Sequence, residues 1–178
     1  MENSIKSVLI DEETLNKRIE ELAFEIEDDY KDKKPVMVCV LKGAIVFFAE
    51  LCKKLHFPLE MDFLSISSYA DKAKTSGMVR LLKDLEIDIQ GRDVIIVEDI
   101  IDSGLTLNYL MRILAARRPN SIKVVSLLDK PSERRCIISS DYHGFTVPDD
   151  YVVGFGLDFA GLYRNLPYIG VLKPEIYE

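Results

Sequence analysis

Three acids, two hydroxyls and a glycine are crowded into nine residues, Glu98-Asp99-Ile100-Ile101-Asp102-Ser103-Gly104-Leu105-Thr106. A helix start leaves backbone N–H groups without partners in their own helix, and the helix dipole favours negative charge there. A Ser-Gly-Leu-Thr turn opening a helix therefore suits a phosphate. Gly104 lets the backbone approach closely, and Ser103 and Thr106 add hydroxyl donors. The acids ask for something else. Carboxylates accept from a sugar diol or hold a hard cation, so three of them beside a phosphate cradle point to a ligand that joins ribose, phosphate and Mg²⁺. A buried strand followed by a capped helix, with no ligand, accounts for the same residues locally.

The flanking residues supply the positioning. Residues 94–97 form an apolar, β-branched run that reads as a strand buried on both faces, as in a parallel sheet, and Glu98 and Asp99 stand where it would emerge at its carboxyl end. Leu107, Leu110, Met111 and Leu114 repeat at helical spacing after it, and Arg117, Arg118 and Pro119 close that helix. Earlier, Leu15, Ile19, Leu22, Ala23, Ile26 and Tyr30 mark one face of a helix over residues 12–30, with Asp11 as its N-cap. Residues 35–41 read as a second buried strand that turns through Lys42-Gly43-Ala44 into an apolar helix over 45–55. A cationic strand exit beside the first is well placed for a second phosphate group. Residues 59–68 read as a strand, 69–77 (YADKAKTSG) as a loop that is either exposed padding or a lid, and 78–82 as a returning strand. Residues 121–128 form a further strand ending at Asp129-Lys130-Pro131, residues 151–155 a last clear strand, and 169–172 a final one. This alternation predicts an α/β fold with a mostly parallel central sheet flanked by helices, in a single domain over residues 1–178. The segments after residue 59 and beyond residue 141 read as additions to that core.

Composition narrows the classes. With 178 residues, 48% hydrophobic and 30% charged, the chain has the balance of a soluble globular enzyme. A net charge of −7 argues against nucleic acid as the main partner. Cys39, Cys52 and Cys136 are an odd number without CxxC spacing, which indicates neither a disulfide framework nor a zinc site. No basic leader and no apolar run of membrane-spanning length is expected, which leaves the reduced cytosol as the simplest location. A P-loop pattern is missing, Gly154-Phe155-Gly156 lacks the spacing of a dinucleotide fingerprint, and neither His56 nor His143 sits in a nucleophile or metal-ligand pattern.

Residues 94–107, VIIVEDIIDSGLTL, resemble the phosphoribosyl diphosphate-binding motif of the purine phosphoribosyltransferases. Leu41-Lys42-Gly43, Ser68-Tyr69, Leu127-Leu128-Asp129-Lys130 and YVVGFGLD (151–158) through Tyr163-Arg164 are similar, in the same order, to segments of the hypoxanthine/guanine subfamily. Together they span most of the chain from residue 35 to 172.

The resemblance implies a type I phosphoribosyltransferase with a small hood and a flexible active-site loop. It implies transfer of a 5-phosphoribosyl group to N9 of hypoxanthine or guanine, giving IMP or GMP and diphosphate in purine salvage. Glu98 and Asp99 then resemble the pair that holds the ribose hydroxyls directly or through Mg²⁺, and Asp158 resembles a ligand of a second Mg²⁺. Asp102 resembles the acid that faces purine N7, a general base whose proton affinity partial burial would raise. Ser103, Gly104, Leu105 and Thr106 would receive the 5′-phosphate. Lys42, Gly43 and Arg164 would face the diphosphate, and Ser68 and Tyr69 would form the tip of a closing loop. Lys130 resembles the donor to purine O6, Tyr151 the stacking aromatic, and Val152 a source of backbone acceptors. The same resemblance implies a homodimer or homotetramer. Ala44, Leu105 and the small Ala160-Gly161 stretch depart from many relatives, which leaves the preference among hypoxanthine, guanine and xanthine open. The alternative from another class is a non-catalytic regulator that senses phosphoribosyl diphosphate and binds nucleic acid.

Overall fold

The computed structural model describes residues 2–68 and 79–177. Its centre is β5 (Asp93–Ile101), flanked in parallel by β2 (Val36–Leu41) on one side and β6 (Ser121–Asp129) on the other. Beyond β2 lies β3 (Glu60–Ser68), parallel to it, and then β4 (Val79–Lys83), antiparallel to β3. On the far edge β7 (Tyr142–Thr146) pairs in parallel with β6. The order is therefore β4-β3-β2-β5-β6-β7, a sheet in which one edge strand alone runs against the rest. The loop tip expected at residues 69–77, including Tyr69, lies outside the described residues.

Side-chain alternation along the strands assigns the two faces of the sheet. Ile95 and Val97 pack with Met37 and Cys39 beneath α1 (Glu12–Tyr30) and α2 (Ile45–Lys53). Val94 and Ile96 pack with Val36, Val38 and Leu64 beneath α3 (Leu105–Ala115). Both faces are covered, so the central strands carry continuous apolar runs rather than an alternating pattern. The helix faces match expectation: Leu15, Ile19, Leu22, Ala23, Ile26 and Tyr30 are all buried, and the Asp11 side chain accepts from Thr14 N at 2.8 Å. Asp62, 3% exposed, accepts from the N–H groups of Phe63, Glu86 and Ile87, which ties the chain returning from β4 back onto β3.

A second sheet lies apart from the first. It joins β1 (Ile5–Ile10), β9 (Ile169–Leu172) and the two-residue β8 (Val152–Val153) in the antiparallel order β1-β9-β8. Three expectations are corrected here. The strand expected over residues 151–155 is reduced to Val152–Val153, because Gly154 (φ 100°), Phe155 (φ 50°) and Gly156 (φ 104°) leave the extended region. Residues 142–146, read as an addition, are an integral edge strand of the main sheet. Finally, β5 runs on through its acids: Glu98 pairs with Ser126 and Ile101 with Asp129, so Glu98 and Asp99 lie within the strand rather than beyond its end. Among the described residues no helix is long and apolar enough to cross a membrane.

Candidate active site

Where the parallel strands end, a cavity of about 620 Å³ opens. Its walls bring together Lys42, Gly43, Glu98, Asp99, Asp102, Ser103, Gly104, Leu105, Thr106, Asp158 and Arg164. These come from four separate stretches of sequence, and the carboxyl edge of the sheet is what gathers them.

Alternation along β5 breaks at its two acids, since Val97 and Ile100 pack on the same side of the sheet, and both acids line the cavity. Glu98 is 5% exposed, and its Oε1 is buried without a hydrogen-bond partner. Burial, and then the neighbouring Asp99 carboxylate, push its acid group well above the ordinary range. Asp99 turns to the face of α2, accepts from Ile100 N at 2.8 Å, and is pushed up to about 6, first by burial. Removing two adjacent carboxylates from water without a cation is costly, and the folded protein then holds the proton more tightly than the unfolded chain does. For an acid raised in this way, the cost to stability is absent below the unfolded value and fully present above the folded one. Asp99→Asn should therefore stabilise the ligand-free protein near pH 7.5, by at most about 3 kcal/mol. Thermal melts of both proteins should show that advantage shrinking as the pH falls through 6 towards 4.

Asp99, Gly43 and Gly156 are stacked so closely that no side chain fits between them. A Cβ on Gly43 would lie 1.6 Å from Asp99 Oδ2, and one on Gly156 would lie 2.0 Å from the Gly43 carbonyl oxygen. The turn following the cis Leu41–Lys42 peptide bond is thus clamped between the central strand and the loop after β8. Arg164 closes the same side: its guanidinium donates to Gly156 O at 2.6 Å and pairs with Asp158 at 2.6 Å. Lys42 stands exposed on the cavity wall. One face of the cavity therefore carries two cationic side chains, and its floor carries acids.

The opposite wall is the turn from β5 into α3. Gly104, with φ 78°, is the N-cap of that helix, and the following first-turn N–H groups face no carbonyl of their own helix. The carbonyl of Ser103 accepts from Arg135 N at 2.9 Å and from the Cys136 thiol at 3.6 Å. Arg134 braces this segment, bonding to the Asp129 carboxylate and donating to Ile138 O at 3.1 Å. Asp102 is exposed, so the partial burial expected of it falls on Glu98 and Asp99 instead.

The three residues assigned to a base, Lys130, Tyr151 and Val152, do not line this cavity but sit beside it. Lys130 N donates to Ile101 O at 3.0 Å, directly before Asp102. Its ammonium pairs with Asp149 at 2.6 Å and donates to Asp150 O at 3.3 Å, which leaves one of its three protons for a further acceptor. Tyr151 is 39% exposed, and burial together with the Asp158 carboxylate holds its phenol above the usual range. Val152 is buried in β8, paired with Val171. Ser68 ends β3, opposite Val79.

Sequence reasoning missed Ser67, Arg134 and Gly156. The Ser67 hydroxyl lines the cavity, buried and without a partner. A buried hydroxyl left unpaired costs about 1–3 kcal/mol, so an oxygen bound in the cavity is its natural partner. Period-two alternation in β3, which places Ser67 on the face of Phe63, was the available signal. Nothing local marked Arg134, and Gly156 was read only as part of YVVGFGLD (151–158), not for its contact with Gly43.

Comparison with known proteins places these features in context. A family model described as the phosphoribosyl transferase domain matches residues 9–160. The chain is 52% identical over 178 residues to the hypoxanthine-guanine phosphoribosyltransferase of Bacillus subtilis (strain 168), covering 100% of this chain and 99% of that one. It is 51% identical over 177 residues to the bifunctional protein TilS/HprT of Listeria innocua, covering 99% of this chain and 27% of that protein. The crystal structure of a hypoxanthine phosphoribosyltransferase from Staphylococcus aureus superposes with a TM-score of 0.96 at 43% identity, covering 100% of this chain and 97% of that one.

Proposed function

Because this chain belongs to the phosphoribosyltransferase family, we propose that it transfers the 5-phosphoribosyl group of phosphoribosyl diphosphate to N9 of hypoxanthine or guanine, in purine salvage. The observation that carries this reading is the cavity itself. A helix-start phosphate cradle, a buried acid beside a half-buried one and a cationic wall face one another across a space of about 620 Å³, and Lys130 and Tyr151 stand at its side. No observation favours the regulator.

In this reading the Ser103–Thr106 turn receives the 5′-phosphate through backbone N–H groups and hydroxyls. Glu98 and Asp99 lie beneath the ribose hydroxyls. Lys42, the Gly43 backbone and Arg164 face the diphosphate, whose negative charge grows as its bond to C1′ lengthens. Ser68 and Tyr69, read as the tip of a closing loop, would serve to exclude water from the reacting centre. The N9 lone pair forms the new bond to C1′ as the C1′–oxygen bond to diphosphate breaks. Asp102 takes the proton from purine N7, and the free proton of Lys130 meets the O6 acceptor. Tyr151 stacks on the ring, and the Val152 backbone accepts from its far edge.

The donor set fits Mg²⁺: hard oxygen ligands, with the Glu98 Oε1 buried and unpaired beside Asp99. Among the described residues no three acidic, histidine or cysteine side chains converge on one point, so the chain offers one or two carboxylates and the ligand and water complete the shell. Asp158, already paired with Arg164, would share its carboxylate with a second ion. When bound, the ion neutralises charge on the diphosphate and orders it against the ribose.

A base-competition assay tests the proposal. With phosphoribosyl diphosphate and MgCl2, hypoxanthine and guanine should be converted to their monophosphates, and chelation should stop turnover. Adenine, whose 6-amino group sets a donor against the Lys130 donor, should react at least about 10²-fold less efficiently in kcat/KM. Absence of turnover with every 6-oxopurine would overturn the reading.

A further inference from the structure

An aromatic ring that takes a base on one face must be held still, and an exposed tyrosine on a loop is not held by its own backbone. Tyr151 is 39% exposed, yet it has two aromatic neighbours. Phe159 meets it edge to face, with centroids 5.5 Å apart at 87°. Tyr177 lies stacked on it, with centroids 5.0 Å apart at 24°. Both are favourable geometries for aromatic pairs. Phe159 is partly buried in the small cluster around Val153 and Leu172, so it is fixed from behind.

Tyr177 is carried by α4 (Pro174–Tyr177), and the residues before that turn are tied down at two points. Leu172 N donates to the carbonyl of Tyr151 itself at 2.8 Å, and Lys173 N donates to Ser4 O at 3.0 Å. A third bond, Ile176 N to Lys173 O at 3.0 Å, closes the turn. The backbone that delivers Tyr177 is thus hydrogen-bonded to the residue on which its ring rests. One face of Tyr151 is taken by Tyr177, Phe159 stands at right angles to the ring, and 39% of the residue stays open to a planar ligand.

We propose that Tyr177 is a positioning residue for base recognition, backing Tyr151 so that its remaining face is presented to the purine at a fixed angle. This rests on the reading of Tyr151 as the stacking residue. Its ring, rather than its hydroxyl, does the work, and it acts on the base and not on phosphoribosyl diphosphate.

The test is steady-state kinetics with hypoxanthine varied at saturating phosphoribosyl diphosphate. Tyr177→Ala should raise the KM for the base about three- to tenfold, leaving kcat and the KM for phosphoribosyl diphosphate unchanged. Tyr177→Phe should match the parent enzyme, and Tyr177→Ala should add nothing in a background of Tyr151→Leu. An unchanged KM in Tyr177→Ala would overturn the proposal. So would a lowered one, which would make Tyr177 a competitor for the base position rather than its support. If Tyr151→Leu itself leaves the KM for the base unchanged, the fault lies with the stacking role of Tyr151, and the role of Tyr177 falls with it.

Discussion

Asp102→Asn is expected to lower kcat by about 10²- to 10³-fold while changing the KM for phosphoribosyl diphosphate by less than about threefold. The backbone on both sides of Asp102 is pinned: Ile101 O accepts from Lys130 N, and Ser103 O accepts from Arg135 N. The carboxylate is therefore held at the cavity edge by its neighbours rather than by contacts of its own, and Asn would keep its place and size. What Asn cannot do is accept a proton from N7. In the proposed arrangement the ribose and phosphate contacts come from other residues, so binding of phosphoribosyl diphosphate should survive. Single-turnover measurements separate the two roles, and an unchanged rate of the chemical step would reduce Asp102 to a binding residue.

Gly156→Ala should be the more damaging of two small changes in the clamped turn. At φ 104° any L side chain is strained, at a cost of about 1–3 kcal/mol. Its new Cβ would also face the Gly43 carbonyl oxygen at 2.0 Å, a backbone atom that cannot rotate away. The loop that presents Arg164 and the turn that presents Lys42 must then separate. We expect kcat/KM for phosphoribosyl diphosphate to fall by about 10²-fold or more, together with a loss of several degrees in thermal midpoint. In Gly43→Ala the added methyl meets the tip of the Asp99 side chain instead, and the loss should be smaller in stability. Equal kcat/KM in Gly156→Ala and the parent enzyme would show that the two loops do not need this contact.

How much of this was legible beforehand depends on the range of the interaction. The apolar runs of β2, β5 and β6 and the heptad-like face of α1 announce themselves, because one residue's neighbours in sequence are also its neighbours in the element. The cavity residues contributed by the β5–α3 turn were legible for the same reason. Of the small sheet, β9 was legible and its two partners were not. β8 is two residues long, and β1 acquires its partner from the opposite end of the chain, so neither carries a pattern of its own. β7 was missed because Tyr142–Thr146, with its glycine and histidine, has little apolar content. The role of Gly156 is a contact with Gly43 across more than a hundred residues, and the Ser103 carbonyl is held by Arg135 N and the Cys136 thiol from more than thirty residues downstream. No local rule reports such pairs. The exposure of Asp102 likewise depends on how far β5 extends, which the apolar run 94–97 understates.

The pairing of Ile5–Ile10 with Ile169–Leu172 has a consequence for how the molecule is made. During synthesis the chain emerges from its amino end, so β1 must wait, unpaired, until residues 169–172 have left the ribosome. Closing so long a loop is slow compared with forming the local contacts of β2, α2 and β5. A nascent chain through β6 already contains the cavity lining from Val40 to Leu107, whereas the small sheet beside Tyr151 awaits residues 169–172. The cavity walls from Lys42 to Thr106 are thus made first, and the loop with Asp158 and Arg164 and the small sheet last.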